Sequence, residues 1–317
     1  MIQQLEIINK ILYKLISELI FKYFILKISP RTHGIILVML AGIFWSTSGL
    51  IYRLIEKATA WQVLFYRSLA LFVLLILLLS FRYQSKLFKI LSLSLKKSFI
   101  GGFCLGIAFS CYILALEYTS VPNAMFILAL APFTTALLGK TILGESILGY
   151  MWICMALTGI GFGIMAGEEI SLGRGLGELF AMIAALGFSG MTVSLRYNHK
   201  IDLLITILIA SFLTSLFAGV MIMIKSEGLV LDSKDWIYSC GMGIFQIGLG
   251  FLLYTKGAQH LQAVELTLLS LTEIIVGPLL VWGIIDETPS VNALIGGTII
   301  FSSILMMGIW GSKEKME

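Results

Sequence analysis

Long apolar stretches separated by short polar segments follow one another along most of the chain. Each stretch has about 20 residues, the length that an α-helix needs to cross the hydrocarbon core of a bilayer. The stretches are continuous, so they favour helices over the alternating strands of a membrane β-barrel. The sequence therefore predicts an all-α integral membrane protein with ten transmembrane helices, near residues 33–53, 60–80, 98–117, 121–142, 147–166, 174–196, 202–224, 235–257, 262–285 and 290–310.

The residues before the first span have a different pattern. Apolar residues such as Leu5, Ile8 and Leu12 recur at helical spacing and are interrupted by lysines and glutamates. A helix of this kind lies on a membrane surface rather than crossing it. It lacks the unbroken apolar core of a secretory signal. We predict that residues 1–32 form a retained amphipathic segment on the cytoplasmic face and that residues 311–317 form a short cytoplasmic tail.

Composition and charge agree with a membrane protein. The chain is 58% hydrophobic and 13% charged, with a mean hydropathy of +0.98. The net charge of +4 reflects topology rather than nucleic-acid binding, because one set of alternate loops carries most of the basic residues. This distribution predicts that both termini are cytoplasmic, on the side of Lys10, Lys14, Lys22, Lys27, Arg31, Arg82, Lys86, Lys89, Lys96, Lys97, Lys140, Arg196, Lys200, Lys256, Lys313 and Lys315.

An internal repeat divides the chain. A shift of 141 residues aligns 115–167 with 256–308 without a gap and pairs Glu145 with Asp286, while a shift of 143 pairs Arg53 with Arg196. Because each copy has five spans, the second copy starts from the opposite side of the membrane. We predict a 5+5 inverted repeat of residues 33–167 and 174–310. Inverted repeats are typical of carriers that work by alternating access around a central site.

Three local motifs resemble one family. They are Phe-Tyr-Arg-Ser at 65–68, Leu-Gly-Glu at 143–145 after the helix that contains Pro132, and LSLTEIIVGPLLVW at 269–282. In this order and spacing, residues 33–310 resemble an EamA-type member of the drug/metabolite transporter superfamily. The resemblance implies a ten-helix carrier that exports or exchanges small metabolites across an inner membrane. It does not extend to the amphipathic segment.

Among the charged residues inside predicted spans, three are candidates for function: Arg67, Glu265 and Glu273. A charge near the bilayer centre costs at least about 2.5–3.5 kcal/mol, which makes each a functional candidate. Arg67 and Glu273 lie at similar depths and could form a structural ion pair. Alternatively, Glu273 faces a cavity as a proton acceptor or a ligand for a substrate amine, and Arg67 binds a carboxylate or phosphate. Glu265, near the cytoplasmic start of its span, either reaches the surface or contributes to a gate.

Other residues could border the same cavity. Pro132 and Pro278 interrupt spans, and discontinuous helices often frame transport sites, although a packing kink is an equal alternative. Aromatic and amide side chains could line the cavity or simply pack within the bundle. The candidates are Trp45, Tyr66, Tyr112, Asn123, Gln246 and Tyr254.

Together these features predict a secondary transporter for a small metabolite, either amino-acid-like or another polar organic solute. Proton coupling through Glu273 is a hypothesis. The alternatives are a polyspecific exporter of drugs or cations and an uncoupled facilitator or exchanger. We predict no enzyme activity, cofactor or metal site, because the chain has no phosphate-binding loop and its histidines are dispersed. The predicted partners are the substrate, the lipid bilayer and, in the coupled case, protons.

Overall fold

The computed structural model describes residues 29–119, 121–166, 175–198, 202–285 and 291–313. Every regular element in these ranges is helical, which confirms the all-α prediction for this part of the chain. The predicted amphipathic segment falls almost entirely outside the described residues. The helices are α1 (Pro30–Arg53), α2 (Ala60–Tyr83), α3 (Leu87–Tyr118), α4 (Val121–Leu128), α5 (Ala131–Leu138), α6 (Gly149–Ala166), α7 (Leu176–Tyr197), α8 (Leu204–Ile224), α9 (Ser233–Gly241), α10 (Gly250–Gly257), α11 (Ala263–Ser270), α12 (Thr272–Ile285) and α13 (Val291–Lys313).

Six helical stretches of the described chain are long and apolar enough to cross a membrane. One of them, Ala60–Tyr118, has 59 residues and contains both α2 and α3. A bilayer core needs only about 20 residues, so this stretch suffices for two crossings. Gln84, with φ of 48°, ends α2 between the two helices. Shorter apolar helices lie at Gly149–Ile164 and Leu294–Trp310.

The outer surface is apolar. Phe88, Ile100 and Leu137 are each more than 60% exposed, and many other large apolar side chains are exposed with them. A soluble monomer rarely shows contiguous apolar surface on this scale. The surface suits contact with lipid chains, as a multi-pass membrane protein requires.

Two helical segments are broken near their middles, 121–138 at Leu130 and 263–285 at Leu271. At the first break the Leu130 amide donates to the Ile127 carbonyl and the Phe133 amide to the Leu130 carbonyl, both at 3.0 Å. At the second break the equivalent bonds run from Leu271 to Leu268 at 3.2 Å and from Ile274 to Leu271 at 3.0 Å. All positions correspond at the 141-residue shift, so the two copies break in the same way.

The second break corrects the prediction for Pro278. The helix tightens at Leu271, whose ψ is −2°, and α12 then runs from Thr272 to Ile285 through Pro278 without interruption. In the first copy Pro132 is the second residue of α5. An amide hydrogen has no partner within the helix at that position, so proline fits there. The first break thus lies beside a proline, whereas the second lies seven residues before Pro278.

Glycines allow several helices to approach backbone to backbone. A Cβ atom at Gly187 of α7 would lie 2.6 Å from the Cys104 carbonyl oxygen of α3, and one at Gly257 would lie 3.0 Å from the Gly34 carbonyl oxygen of α1. The tightest contact with backbone is at Gly243, where a Cβ atom would lie 2.1 Å from the carbonyl oxygen of Arg67. Close small-residue contacts of this kind are a common basis of helix packing in membranes.

The contact at Gly243 leads to a first prediction. Gly243→Ala should lower the free energy of unfolding by about 2–3 kcal/mol, because the new methyl group meets backbone that cannot rotate away. Gly241→Ala is the matched control, since a Cβ atom at Gly241 has no neighbour within 4 Å. Melting temperatures of the two detergent-purified variants test this, and equal melting temperatures would contradict the tight contact.

The two ends of the helix bundle differ in charge. We call the end that holds Arg31, Arg82, Lys140, Arg196 and Lys256 the basic end. The opposite end carries two exposed ion pairs, and the Asp235 carboxylate there accepts hydrogen bonds from the three amides of residues 56–58 at 2.9–3.1 Å. Its exposed pairs are Lys57 with Asp232 and Lys234 with Glu56.

Candidate functional site

A cavity of about 120 Å³ lies between the helices, near the two breaks. A water molecule occupies about 30 Å³ in the liquid, so the cavity has room for about four water molecules or a small solute. Residues of α1, α2, α3, α4, α5, α7, α10, α11 and α12 contribute to its wall, together with a π-helical segment, Met242–Leu249, that joins α9 to α10. The wall is mainly apolar and includes two charged side chains, Arg67 and Glu273.

Arg67 is buried on the cavity wall without a carboxylate partner among the described residues. Its side chain is 1% exposed, and its guanidinium carbon lies 5.5 Å from the centre of the Phe109 ring. Nη2 donates to the Phe109 carbonyl at 3.4 Å, while Nε has no partner. A guanidinium has five donors in a fixed fork, so it retains capacity to bind an anionic group inside the cavity.

Glu273 lies on the cavity wall in the first turn of α12, directly after the break at Leu271. Its side chain is half-buried, and within the described chain it forms no ion pair. The partial positive charge of a helix N-terminus favours a carboxylate at this position. The repeat pairs Glu273 with Pro132, so only the second copy carries a charge after its break.

Arg67 and Glu273 line the same cavity but do not form an ion pair with each other. Tyr112 lies within electrostatic range of both, and its hydroxyl is 3.5 Å from the Ser48 hydroxyl. The cavity therefore presents two separate ionisable groups, a guanidinium and a carboxyl group. Each is open to a complementary group on a bound solute.

Trp45 and Gln246 also lie on the wall. The indole nitrogen of Trp45 packs against Gly250, where a Cβ atom would lie only 2.1 Å away, so Trp45 contributes an apolar surface rather than a donor. Gln246 belongs to the π-helical segment, a rare conformation that is frequent at functional sites. Its Nε2 donates to the Trp45 carbonyl at 3.4 Å, and its buried Oε1 has no partner. The Gln246 oxygen and the Glu273 carboxyl group are therefore two hydrogen-bond acceptors among the residues of the cavity wall.

The other predicted residues lie elsewhere. Tyr66 donates from its hydroxyl to the Leu229 carbonyl and does not line the cavity. Tyr254 is fully buried beside the cavity and is hydrogen-bonded at 2.8 Å to Thr192. The Asn123 side chain lies outside the described residues. Glu265 lies away from the cavity, at the basic end.

Three phenylalanines on the wall were absent from the sequence-based candidates: Phe109, Phe188 and Phe251. In a chain this apolar, composition does not distinguish a cavity-facing phenylalanine from one that faces lipid. Helical spacing offered one signal, because Phe109 precedes Tyr112 by three residues and therefore lies on the same helix face.

The Leu-Gly-Glu motif forms a polar junction at the basic end. Gly144 adopts a left-handed conformation, with φ of 67°, and ends the π-helical turn Gly139–Leu143. Glu145 then accepts from Nε and Nη2 of Arg196 on one oxygen, both at 3.2 Å, and from the Ala263 amide at 2.9 Å on the other. One carboxylate thus joins the end of α7 to the start of α11. Its repeat counterpart, Asp286, lies outside the described residues.

A buried ion pair, Arg31 with Glu265, lies at the same end. The two side chains are 8% and 4% exposed as whole residues. The Glu265 carboxylate also accepts from the Gln262 amide at 2.9 Å and so caps α11. Arg31 donates in addition to the Met307 and Gly308 carbonyls at 3.3 and 3.2 Å. The pair therefore ties α1 and α13 to the start of α11.

The described residues contain no cluster of three metal-ligating side chains. Cys104, Cys111, Cys154 and Cys240 are unpaired and lie at half-buried or buried positions. At the basic end, outside the apolar spans, burial and the neighbouring His33 lower the pKa of His260 below its usual value. His260 is therefore neutral near pH 7.

The model of the EamA-like transporter family matches residues 32–167 and again residues 175–309. One solved crystal structure of a protein aligns with a TM-score of 0.75, covering 87% of this chain and 97% of that chain at 15% sequence identity, which shows a similar fold. No curated protein sequence matches the chain.

Proposed function

The chain belongs to the EamA-like transporter family, and we propose that it carries a small amphipathic solute across the membrane by alternating access of the central cavity. The observation that carries this proposal is that two separate ionisable side chains, Arg67 and Glu273, lie on one apolar wall. Unpaired charges in a membrane interior are costly and typically mark a substrate or ion pathway.

The proposed topology is a 5+5 inverted repeat of ten spans, with residues 33–167 and 174–310 as the two copies. The double match of the family model and the equivalent breaks at Leu130 and Leu271 support it. The excess of basic residues at one end favours cytoplasmic termini in an inner, plasma-type membrane.

The geometry favours a solute with an anionic group, an amine and an apolar body. Arg67 provides unused donor capacity, Glu273 and the Gln246 oxygen provide acceptors, and the aromatic wall accommodates apolar atoms. An apolar amino acid combines all three features. A lipophilic cation would match the aromatic wall and Glu273, but it would leave the Arg67 charge without a partner in a desolvated site.

A ligand panel tests the proposal. Apolar amino acids should raise the melting temperature of the detergent-purified protein more than the matching amines, the matching carboxylic acids or cationic dyes. A ligand at about 100 times its dissociation constant adds roughly 2.7 kcal/mol to the stability of the native state. Stabilisation by cationic dyes alone would overturn the proposed solute and favour the polyspecific exporter. Stabilisation by sugar phosphates alone would assign Arg67 to a phosphate.

Substitution of Glu273 gives a second prediction. Glu273→Gln keeps the size of the side chain and removes its charge, so affinity for a zwitterionic ligand should fall about 10- to 100-fold, the range for a hydrogen bond to a charged group. The carboxylic acid that lacks the amine is the internal control, and its affinity should not change. Calorimetric titration measures both affinities. An equal loss of affinity for both ligands would contradict the proposed contact between Glu273 and the ligand amine.

Proton coupling is tested separately in proteoliposomes. If Glu273 exchanges protons during transport, an imposed pH gradient should drive net uptake in the unmodified protein and not in Glu273→Gln, while exchange of internal for external solute should persist in both. If the pH gradient changes transport in neither the unmodified protein nor Glu273→Gln, the protein is instead a facilitator or exchanger.

A further inference from the structure

One face of α7 leads from the cavity to the basic end. Phe188 lines the cavity, Thr192 lies one turn further along and Arg196 lies one turn beyond that. Residues four apart share a helix face. Eight residues span about 12 Å along the axis. This face of α7 therefore runs from the cavity wall to the basic end.

Side chains on this face contact α10 and the residue that follows it. The Phe188 and Tyr254 rings lie 5.7 Å apart, and the Thr192 and Tyr254 hydroxyls are hydrogen-bonded at 2.8 Å. One turn further on, Nη1 of Arg196 donates to the Ala258 carbonyl at 3.1 Å. We call these three contacts the seam. Tyr254 and Thr192 are fully buried, so this part of the seam is closed to solvent.

The seam differs from the interfaces on either side of it. α7 packs against α3 at Gly187, and α10 packs against α1 at Gly257, in both cases with backbone near backbone. Among the described helices, α7 and α10 are not a closely packed pair. The gap between them is bridged by long side chains. A few polar bonds that water can replace are easier to open than interlocked backbones.

Glu145 lies next to the seam and connects Arg196 of α7 to the start of α11. One carboxylate oxygen accepts from Arg196, at the end of α7, and the other accepts from the Ala263 amide at the start of α11. The Glu145 and Arg196 side chains are 15% and 24% exposed, so water reaches the pair. Separation of α7 from α10 and α11 would break these bonds together with the Thr192–Tyr254 bond.

We propose that the seam is the gate at the basic end of the cavity and that Glu145 is its latch. The inference rests on the proposed transport function, because a gate has meaning only for a cavity that must open to both sides. It assigns positioning roles to Tyr254, Thr192 and Arg196. In this arrangement the Leu-Gly-Glu motif serves the gate, with the left-handed Gly144 turning Glu145 toward Arg196.

A thiol placed in the cavity reports on the gate. Ser270 lines the cavity, is 3% exposed and uses its hydroxyl only within its own helix, so Ser270→Cys is a conservative reporter. The full-length variant is prepared in membrane vesicles with the basic end facing the medium. A charged, membrane-impermeant maleimide mass tag is added, and the thiol additional to the four native cysteines is followed.

Opening of the seam should accelerate this labelling. Glu145→Gln removes the charge that Arg196 and Ala263 share and should raise the rate about tenfold. Tyr254→Phe keeps the ring and removes only the hydroxyl bond to Thr192, so it should raise the rate about threefold. The combined variant should label faster than either.

Two matched controls separate gating from general destabilisation. Glu56→Gln breaks an exposed ion pair at the opposite end, and Glu265→Gln breaks a buried pair between α1, α11 and α13 that does not cross the seam. Neither should change the rate. In vesicles of reversed orientation, labelling should slow in Glu145→Gln and Tyr254→Phe, because alternating access exposes the cavity to one side at a time, and it should not change in the two controls.

The proposal is overturned if Glu145→Gln and Tyr254→Phe label no faster from the basic side than the two controls. It is equally overturned if all four variants accelerate together. The assay needs no substrate, so it is independent of the ligand panel. A failed panel with accelerated labelling would reject the proposed solute and keep the gate.

Discussion

Replacement of Arg67 with methionine is expected to weaken ligand binding about 30-fold or more while leaving the protein as stable as before, or more stable. Arg67 is 1% exposed, and in the described chain no carboxylate lies within ion-pair distance of it. An uncompensated buried charge costs several kcal/mol, so an apolar side chain of similar length relieves that cost. A residue kept for function at the expense of stability has this signature.

The expected loss of affinity is large. Removal of one member of a buried, hydrogen-bonded charge pair costs about 2–5 kcal/mol, which corresponds to about 30-fold or more in the dissociation constant. Calorimetric titration with the best ligand of the panel measures the affinity, and thermal unfolding without ligand measures the stability. In Arg67→Met the affinity for the ligand should fall, while the melting temperature without ligand should stay the same or rise.

Arg82→Met is the matched control for Arg67→Met. Arg82 belongs to the same helix, but its side chain is 61% exposed and pairs with Asp202 at 3.0 Å at the basic end. Its replacement should leave affinity unchanged and alter stability by no more than about 1 kcal/mol. A sharp drop in melting temperature for Arg67→Met, with binding retained, would show instead that Arg67 is a structural residue.

The second large effect is expected at the buried pair of Arg31 and Glu265. Glu265→Gln should lower the free energy of unfolding by about 3–5 kcal/mol, because it leaves the Arg31 charge buried without its counter-ion. The cap of α11 at Gln262 is weakened as well. Thermal unfolding in detergent measures the change, and Glu56→Gln, in a half-exposed pair, should cost no more than about 1 kcal/mol.

A double substitution tests whether the loss of stability comes from the unpaired Arg31 charge. Arg31→Met combined with Glu265→Leu removes both charges, and it should recover most of the stability that Glu265→Gln loses, since a buried ion pair can be replaced by apolar side chains at little cost. Unchanged stability in Glu265→Gln together with altered transport would contradict the structural role and support Glu265 as a gate residue.

The membrane character and the family resemblance were predictable from sequence because hydrophobicity is a local property. A run of apolar residues identifies a helix in lipid whatever its neighbours are. The same contrast made Arg67 and Glu273 visible, since a charge inside an apolar run is conspicuous. The all-α prediction and the resemblance to EamA-type transporters are both confirmed.

Contacts between distant segments were not predictable in this way. The sequence left open whether Arg67 pairs with Glu273, because equal depth does not determine how far each helix is rotated about its axis. It also favoured Pro278 as the second break, whereas the hydrogen bonds around Leu271 locate the break there. Glu265 was visible as an intramembrane charge, but its partner Arg31 is 234 residues away.

The sequence by itself determined that this protein is a helical membrane protein of the EamA-like family with charges on two spans, because insertion into lipid depends on the residues of each span alone. Only the tertiary structure decided that Arg67 and Glu273 stay apart on one cavity wall and that Glu145 joins Arg196 to the start of α11. Helix rotation and packing bring side chains together across the bundle, and these depend on all the helices at once.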